Sequence, residues 1–196
     1  MRKLPIAIGA FALSTAPALA HVGVGAHDSF AAGFAHPLSG LDHMLAMVAV
    51  GLWAVLIAGD ERRRWALWLV PAAFVGVMAT GFAAGLGGLP LPFVEPMILA
   101  SVLVLGVLSA LAVSVPVAVG MLVVGFFAFF HGHAHGEELA GAGALPFALG
   151  FALATALLHG LGIGVGTTFG GAAGRRLARA VGAATVLGGV WLAMGG

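Results

Sequence analysis

This chain of 196 residues contains no cysteine. Disulfides and thiolate metal sites are thereby excluded, so any metal must be held by nitrogen and oxygen. Charge is scarce too. Asp, Glu, Lys and Arg together make up 8% of the chain, against about 25% in a soluble domain. Alternation of apolar and polar residues, the mark of a membrane β-barrel, is missing; the apolar runs are continuous. No nucleotide-binding motif, no His-Glu-x-x-His pair and no serine in a nucleophile setting occurs. These absences argue against an intramembrane metalloprotease or hydrolase and against a nucleotide-driven pump. The formal net charge of +1 gives no reason to expect a nucleic-acid partner. No internal repeat supports an inverted-repeat transporter.

What is present is hydrocarbon. The chain is 61% hydrophobic, with a mean hydropathy of +1.13. Several stretches reach the roughly 20 apolar residues that a membrane-spanning helix needs. The expected fold is all-α: a polytopic membrane protein with six transmembrane helices after a cleaved signal peptide. Arg2 and Lys3, the apolar Ile6 to Leu13, and Ala18-Leu19-Ala20 have the order of a secretory signal. That assigns 1–20 to the signal and 21–196 to a single helical domain. A retained first helix is the alternative. Cleavage would make His21 the new N-terminus, with His27 and Asp28 close behind as a first capture site over the outer mouth.

The six spans are expected at about 37–58, 65–85, 94–113, 115–134, 145–166 and 176–195. Pro37, Pro96, Pro116 and Pro146 each fall in a predicted first turn, where a missing N–H costs least. Pro71 lies deeper in its span and is a candidate kink. Glycine is abundant, at 32 residues, with spacings such as Gly81/Gly85 that let helices approach closely. Arginines set the orientation. Arg62, Arg63 and Arg64 join the first two spans; Arg175, Arg176 and Arg179 join the last two. Positive loops face the cytoplasm, so the mature N-terminus and the C-terminus are expected in the periplasm of a bacterial inner-membrane protein.

Ionisable groups at membrane depth are costly and face a cavity or one another. Here they are few and grouped. The first span opens "HPLSGLDHMLAMVAVG". As one helix it would put His36, Ser39 and His43 on a single stripe. Asp42 would be turned away, either to bind an ion or to orient a histidine of a neighbouring helix. The fourth span ends "FFHGHAHGEE". If helical to the end, it places His131, His135 and Glu138 on one face. His133 and Glu137 fall on another, read as solvated loop residues. Gly132 and Gly136 weaken that turn and could let it unwind. With Glu95 at the start of the third span, these donors gather toward one side of the membrane. His159 in the fifth span belongs to the inner half.

Those two stretches resemble the signatures of the HupE/UreJ family of hydrogenase and urease accessory proteins. The first, HPxxGxDHxLAMxxVG, is matched at every fixed position from His36 to Gly51. The second, HGxAHGxE, is matched by His131, Gly132, Ala134, His135, Gly136 and Glu138. The resemblance extends over essentially the whole chain. It implies a nickel or cobalt permease with His36, Asp42 and His43 as the first metal site and His131, His135 and Glu138 as its partners. It also admits cytoplasmic nickel-handling proteins as partners.

The residues themselves fit passage of a divalent cation. Imidazole with carboxylate suits Ni²⁺, Co²⁺, Zn²⁺ and Cu²⁺ alike, so geometry must supply the selection. No tightly bound cofactor is expected; the metal is the substrate. His21, His27 and Glu95 are candidate outer ligands, and His159 is a candidate relay toward the cytoplasm. Capture needs neutral imidazole and is expected to weaken below about pH 6. A permease for zinc, copper or iron, and a metal- or haem-binding membrane subunit without transport, are the competing readings. Oligomeric state is not legible.

Overall fold

The computed structural model describes residues 29–59, 64–139, 143–168 and 171–195. The signal-like start, His21, His27 and Asp28 lie outside them, as do Arg62 and Arg63. Among the described residues there are seven helices: α1 Phe30–Ser39, α2 Leu41–Ala58, α3 Ala66–Leu86, α4 Val94–Ala110, α5 Val117–Glu138, α6 Ala144–Thr168 and α7 Gly171–Ala193. Four of them, α2, α3, α5 and α6, are long and apolar enough to cross a membrane. Helix α4 is a shorter apolar helix of 17 residues. Helix α7 has 23 residues but carries Arg175, Arg176 and Arg179 in its first half.

The first expected span is interrupted. The chain is helical from Phe30, breaks at Gly40, and resumes at Leu41. Ser29 caps α1 by accepting from the Ala32 N–H at 3.0 Å. Ser39 ends it, its hydroxyl donating back to the His36 carbonyl at 2.7 Å. Pro37 therefore sits near the end of α1 rather than in a first turn. By contrast Pro96 and Pro146 do lie in the first turns of α4 and α6.

Helix α2 is the centre of the bundle. Ala46, Met47, Ala49, Val50, Leu52 and Trp53 are all buried, as a helix apolar on every side should be. It packs against α3, α4, α6 and α7. Small residues set how closely the helices meet. A Cβ on Gly81 would strike the Phe129 carbonyl, and one on Gly132 would strike that of Met78. Gly85 and Gly136 repeat the same exchange with His133 and Phe82 one turn further on. The numbers rise together, so α3 and α5 run parallel. In the same way α1 and then α2 follow α6, through Gly33 and Gly150, then Gly51 and Gly162. The glycine spacings thus serve close packing. Gly132 and Gly136 do not unwind α5; backbone from α3 fills the space a side chain would need.

The exterior is apolar and the interior holds the polar groups. Leu145, Leu149, Leu153, Leu157 and Leu161 form an exposed stripe along α6. His43, His131, His133, His135 and His159 are buried. That inversion suits a hydrocarbon solvent, where side chains outside need no water and polar ones must find partners within.

Candidate metal centre

The break at Gly40 makes the centre. It drops His36, in the last turn of α1, and His43, in the first turn of α2, toward the end of α5. The His36 and His43 rings are 6.4 Å apart, and His135 lies 4.4 Å from the first and 4.8 Å from the second, centre to centre. His131 stands 4.9 Å from His43. The single helical stripe expected for His36 and His43 is therefore not what joins them; a bend does. A Cβ on Gly40 would lie 2.7 Å from Asp42 Oδ1, so only glycine leaves the Asp42 carboxylate its place.

Hydrogen bonds fix where the protons sit. Asp42 Oδ1 accepts from the His43 backbone N–H at 2.8 Å and from His43 Nδ1 at 3.0 Å. A carboxylate can only accept, so His43 Nδ1 carries the proton and Nε2 presents a lone pair. His135 Nδ1 faces Glu138 Oε2 at 3.4 Å, which assigns its proton in the same way. The two Nε2 atoms then meet at 2.8 Å. Two lone pairs at that distance repel unless a cation lies between them. If either Nε2 held the proton instead, its Nδ1 would turn a lone pair on a carboxylate. With the protons on both Nδ1 atoms, a positive charge between the two Nε2 atoms, metal ion or proton, satisfies both lone pairs.

Other donors surround this pair. His36, His135 and Glu138 can bring one ligand atom each to within 4.8 Å of one another. Donors bound at about 2.1 Å to one ion stand about 3–4.2 Å apart, so a small closure completes that set. The Ser101 hydroxyl donates to the Ile98 carbonyl at 2.6 Å and accepts from His131 Nε2 at 2.9 Å. His131 Nδ1 is left as an unused, buried lone pair. Phe151 lies against His135 at 4.6 Å and closer to it than to His36 or His43, at 6.2 and 6.4 Å. With Phe147, 5.7 Å from His36, it forms an aromatic wall that limits water.

The family described as HupE / UreJ protein matches residues 9–192. The chain belongs to the HupE/UreJ family. Protein HupE of Rhizobium leguminosarum bv. viciae is 49% identical over 138 residues, covering 70% of this chain and 68% of that protein. No solved structure matches the chain. HupE/UreJ proteins are transport or accessory proteins, not enzymes.

Among the described residues, each one singled out from the sequence of this HupE/UreJ chain has a definite place. His36, His43, His131 and His135 come together, with Asp42 and Glu138 behind His43 and His135. Asp42 orients the histidine next to it in its own helix, not one on a neighbour. Glu95 is apart from the histidines. It lines a cavity of about 430 Å³ with Glu137 and Glu138, between the start of α4 and the end of α5. His159 is buried in α6 with both ring nitrogens unpaired. The Phe74 ring stands 5.1 Å from it and 5.7 Å from His131. His133, expected in a solvated loop, is fully buried. Helix α5 persists to Glu138, and its Nε2 reaches the Leu89 carbonyl at 2.6 Å. Ser101, Phe74 and Phe151 were missed from sequence. A serine within an apolar helix was the one available signal, for Ser101.

Proposed function

We propose that this HupE/UreJ chain carries Ni²⁺ or Co²⁺ from the periplasm to the cytoplasm across the bacterial inner membrane. The observation that carries this reading is the pair of facing Nε2 lone pairs of His43 and His135, backed by Asp42 and Glu138. The site is a cation trap before any ion arrives. Two imidazoles bound at right angles with bonds of about 2.1 Å stand about 3.0 Å apart. The 2.8 Å between the two nitrogens lets one ion bridge them with little movement, and imidazole with carboxylate suits nickel and cobalt. Axial haem ligation needs two imidazoles on opposite faces of a macrocycle. This pair leaves no room for one.

In this reading α2 to α7 are six crossings after a cleaved signal peptide. Parallel α3 and α5, and α1–α2 running with α6, fit alternating passage. At the end of the bundle away from the histidines, Arg64 and Arg175 line a cavity of about 470 Å³ with Gly59 and Thr167. Positive residues there orient that end to the cytoplasm. The cation enters beside the acidic outer cavity and loses part of its water to His36, His43, His135 and Glu138. It passes His131 and the Phe74 ring to His159, and leaves toward the arginine-lined end. His21 and His27 extend the outer mouth.

The test is uptake of radiolabelled Ni²⁺ by cells lacking their own nickel transporters, expressing the native chain, His43→Ala or His135→Ala at equal membrane levels. Uptake by the native chain that both substitutions abolish supports the reading. Competition by Co²⁺, Zn²⁺ and Cu²⁺ ranks the cargo. Absence of uptake by a well-expressed native chain would overturn it.

A further inference from the structure

A second group of donors lies on another face of α5. His133 is fully buried. Its Nε2 is 2.6 Å from the Leu89 carbonyl oxygen, which can only accept, so the ring proton is on Nε2. In the neutral ring Nδ1 then holds a lone pair. It has no hydrogen-bond partner. The group it faces is the Glu137 carboxylate, one helical turn on, with Oε2 at 3.7 Å. Here a lone pair confronts an anion, whereas in the His43–His135 centre two lone pairs confront each other; neither His133 nor Glu137 belongs to that centre.

We propose that His133 Nδ1 and the Glu137 carboxylate form a second binding site for a divalent transition-metal ion at the outer rim. Ligand bonds of about 2.1 Å span about 3 Å at a right angle and about 4.2 Å in line. The 3.7 Å separation falls inside that range without any movement of the chain. The Leu89 carbonyl acts as the outer partner that fixes a metal-binding histidine's tautomer. Glu137 is largely exposed, and it opens onto the cavity shared with Glu95 and Glu138, so water and further carboxylate oxygen can complete the coordination. Positions 133 and 137 are the free positions of the HGxAHGxE signature. The site is thus a property of this chain's own residues, and it stands whether or not the chain transports metal.

The experiment is equilibrium dialysis of the purified full-length protein against radiolabelled Ni²⁺. The native chain is compared with Glu137→Gln, His133→Gln, His43→Ala and the Glu137→Gln/His43→Ala pair. Glu137 is exposed, so its substitution leaves the fold intact. Glu137→Gln is expected to bind one ion fewer per chain than the native protein, and His133→Gln the same. His43→Ala is expected to keep the ion that Glu137→Gln loses, and the pair to lose both. Equal stoichiometry and affinity in native and Glu137→Gln protein would overturn the proposal; the pair would then be an imidazolium–carboxylate contact held by a proton. Loss of both ions in His43→Ala alone would overturn it as well, since the sites would not be separate.

Discussion

Asp42 offers the sharpest test of how the centre works. Its Oδ1 accepts two hydrogen bonds from His43, at 2.8 and 3.0 Å. Those bonds hold the imidazole proton on Nδ1 and aim Nε2 at His135. Asparagine at this position keeps an oxygen that accepts both bonds but removes the charge. Alanine removes both, and leaves the proton free to move to Nε2, where it blocks the metal. Loss of such an outer partner typically lowers metal affinity about 10- to 100-fold, or about 1.4–2.7 kcal/mol. Asp42→Asn is expected near the lower end and Asp42→Ala near the upper, read as Ni²⁺ affinity by calorimetry on purified protein. Thermal melting should show both variants folded. An Asp42→Ala affinity within twofold of native would refute the orienting role. Equal losses for Asn and Ala would refute it differently, by showing that the carboxylate binds the ion itself.

Other expectations follow from the same geometry. Gly40→Ala puts a Cβ 2.7 Å from Asp42 Oδ1, so Ni²⁺ affinity should fall while the melting temperature changes little; an unchanged affinity would show that the bend has slack. Ser101→Ala removes the acceptor that holds the His131 proton on Nε2. Uptake should fall several-fold, and stability by about 1 kcal/mol as for a typical hydrogen bond. His159→Phe should slow uptake yet leave equilibrium binding at the outer centre intact, and a proportional loss of both would remove His159 from the path. Gly132→Leu drives a side chain into the α3 backbone at Met78. It should abolish folded protein in size-exclusion profiles, whereas Gly160→Ala, at a position with open space around it, should be tolerated.

A great deal of this molecule was legible in its residues. Scarcity of charge and continuous apolar runs fixed an all-helical protein built for a hydrocarbon solvent, because no other backbone arrangement of this composition can satisfy its own hydrogen bonds there. The ends of α3, α5 and α6 fall within a few residues of their expected places. The periodicity of His131, His135 and Glu138 put them on one face, and α5 keeps them there. The absence of cysteine limited any metal site to nitrogen and oxygen.

Tertiary structure decided the rest. Periodicity assumes an unbroken helix, so it set His36 and His43 on one stripe. The break at Gly40 instead brings them together across a bend, and no spacing rule announces it. Exposure misled at His133, since two glycines and two glutamates beside it read as a loop until Gly132 and Gly136 were seen seated on α3. Sequence distance also hid Ser101, Phe74 and Phe151, which come from three other helices. Which nitrogen carries a proton is the most consequential of these features. It depends on a carboxylate or carbonyl placed within about 3 Å by packing, and only packing turns a histidine-rich stretch into a pair of lone pairs awaiting a cation.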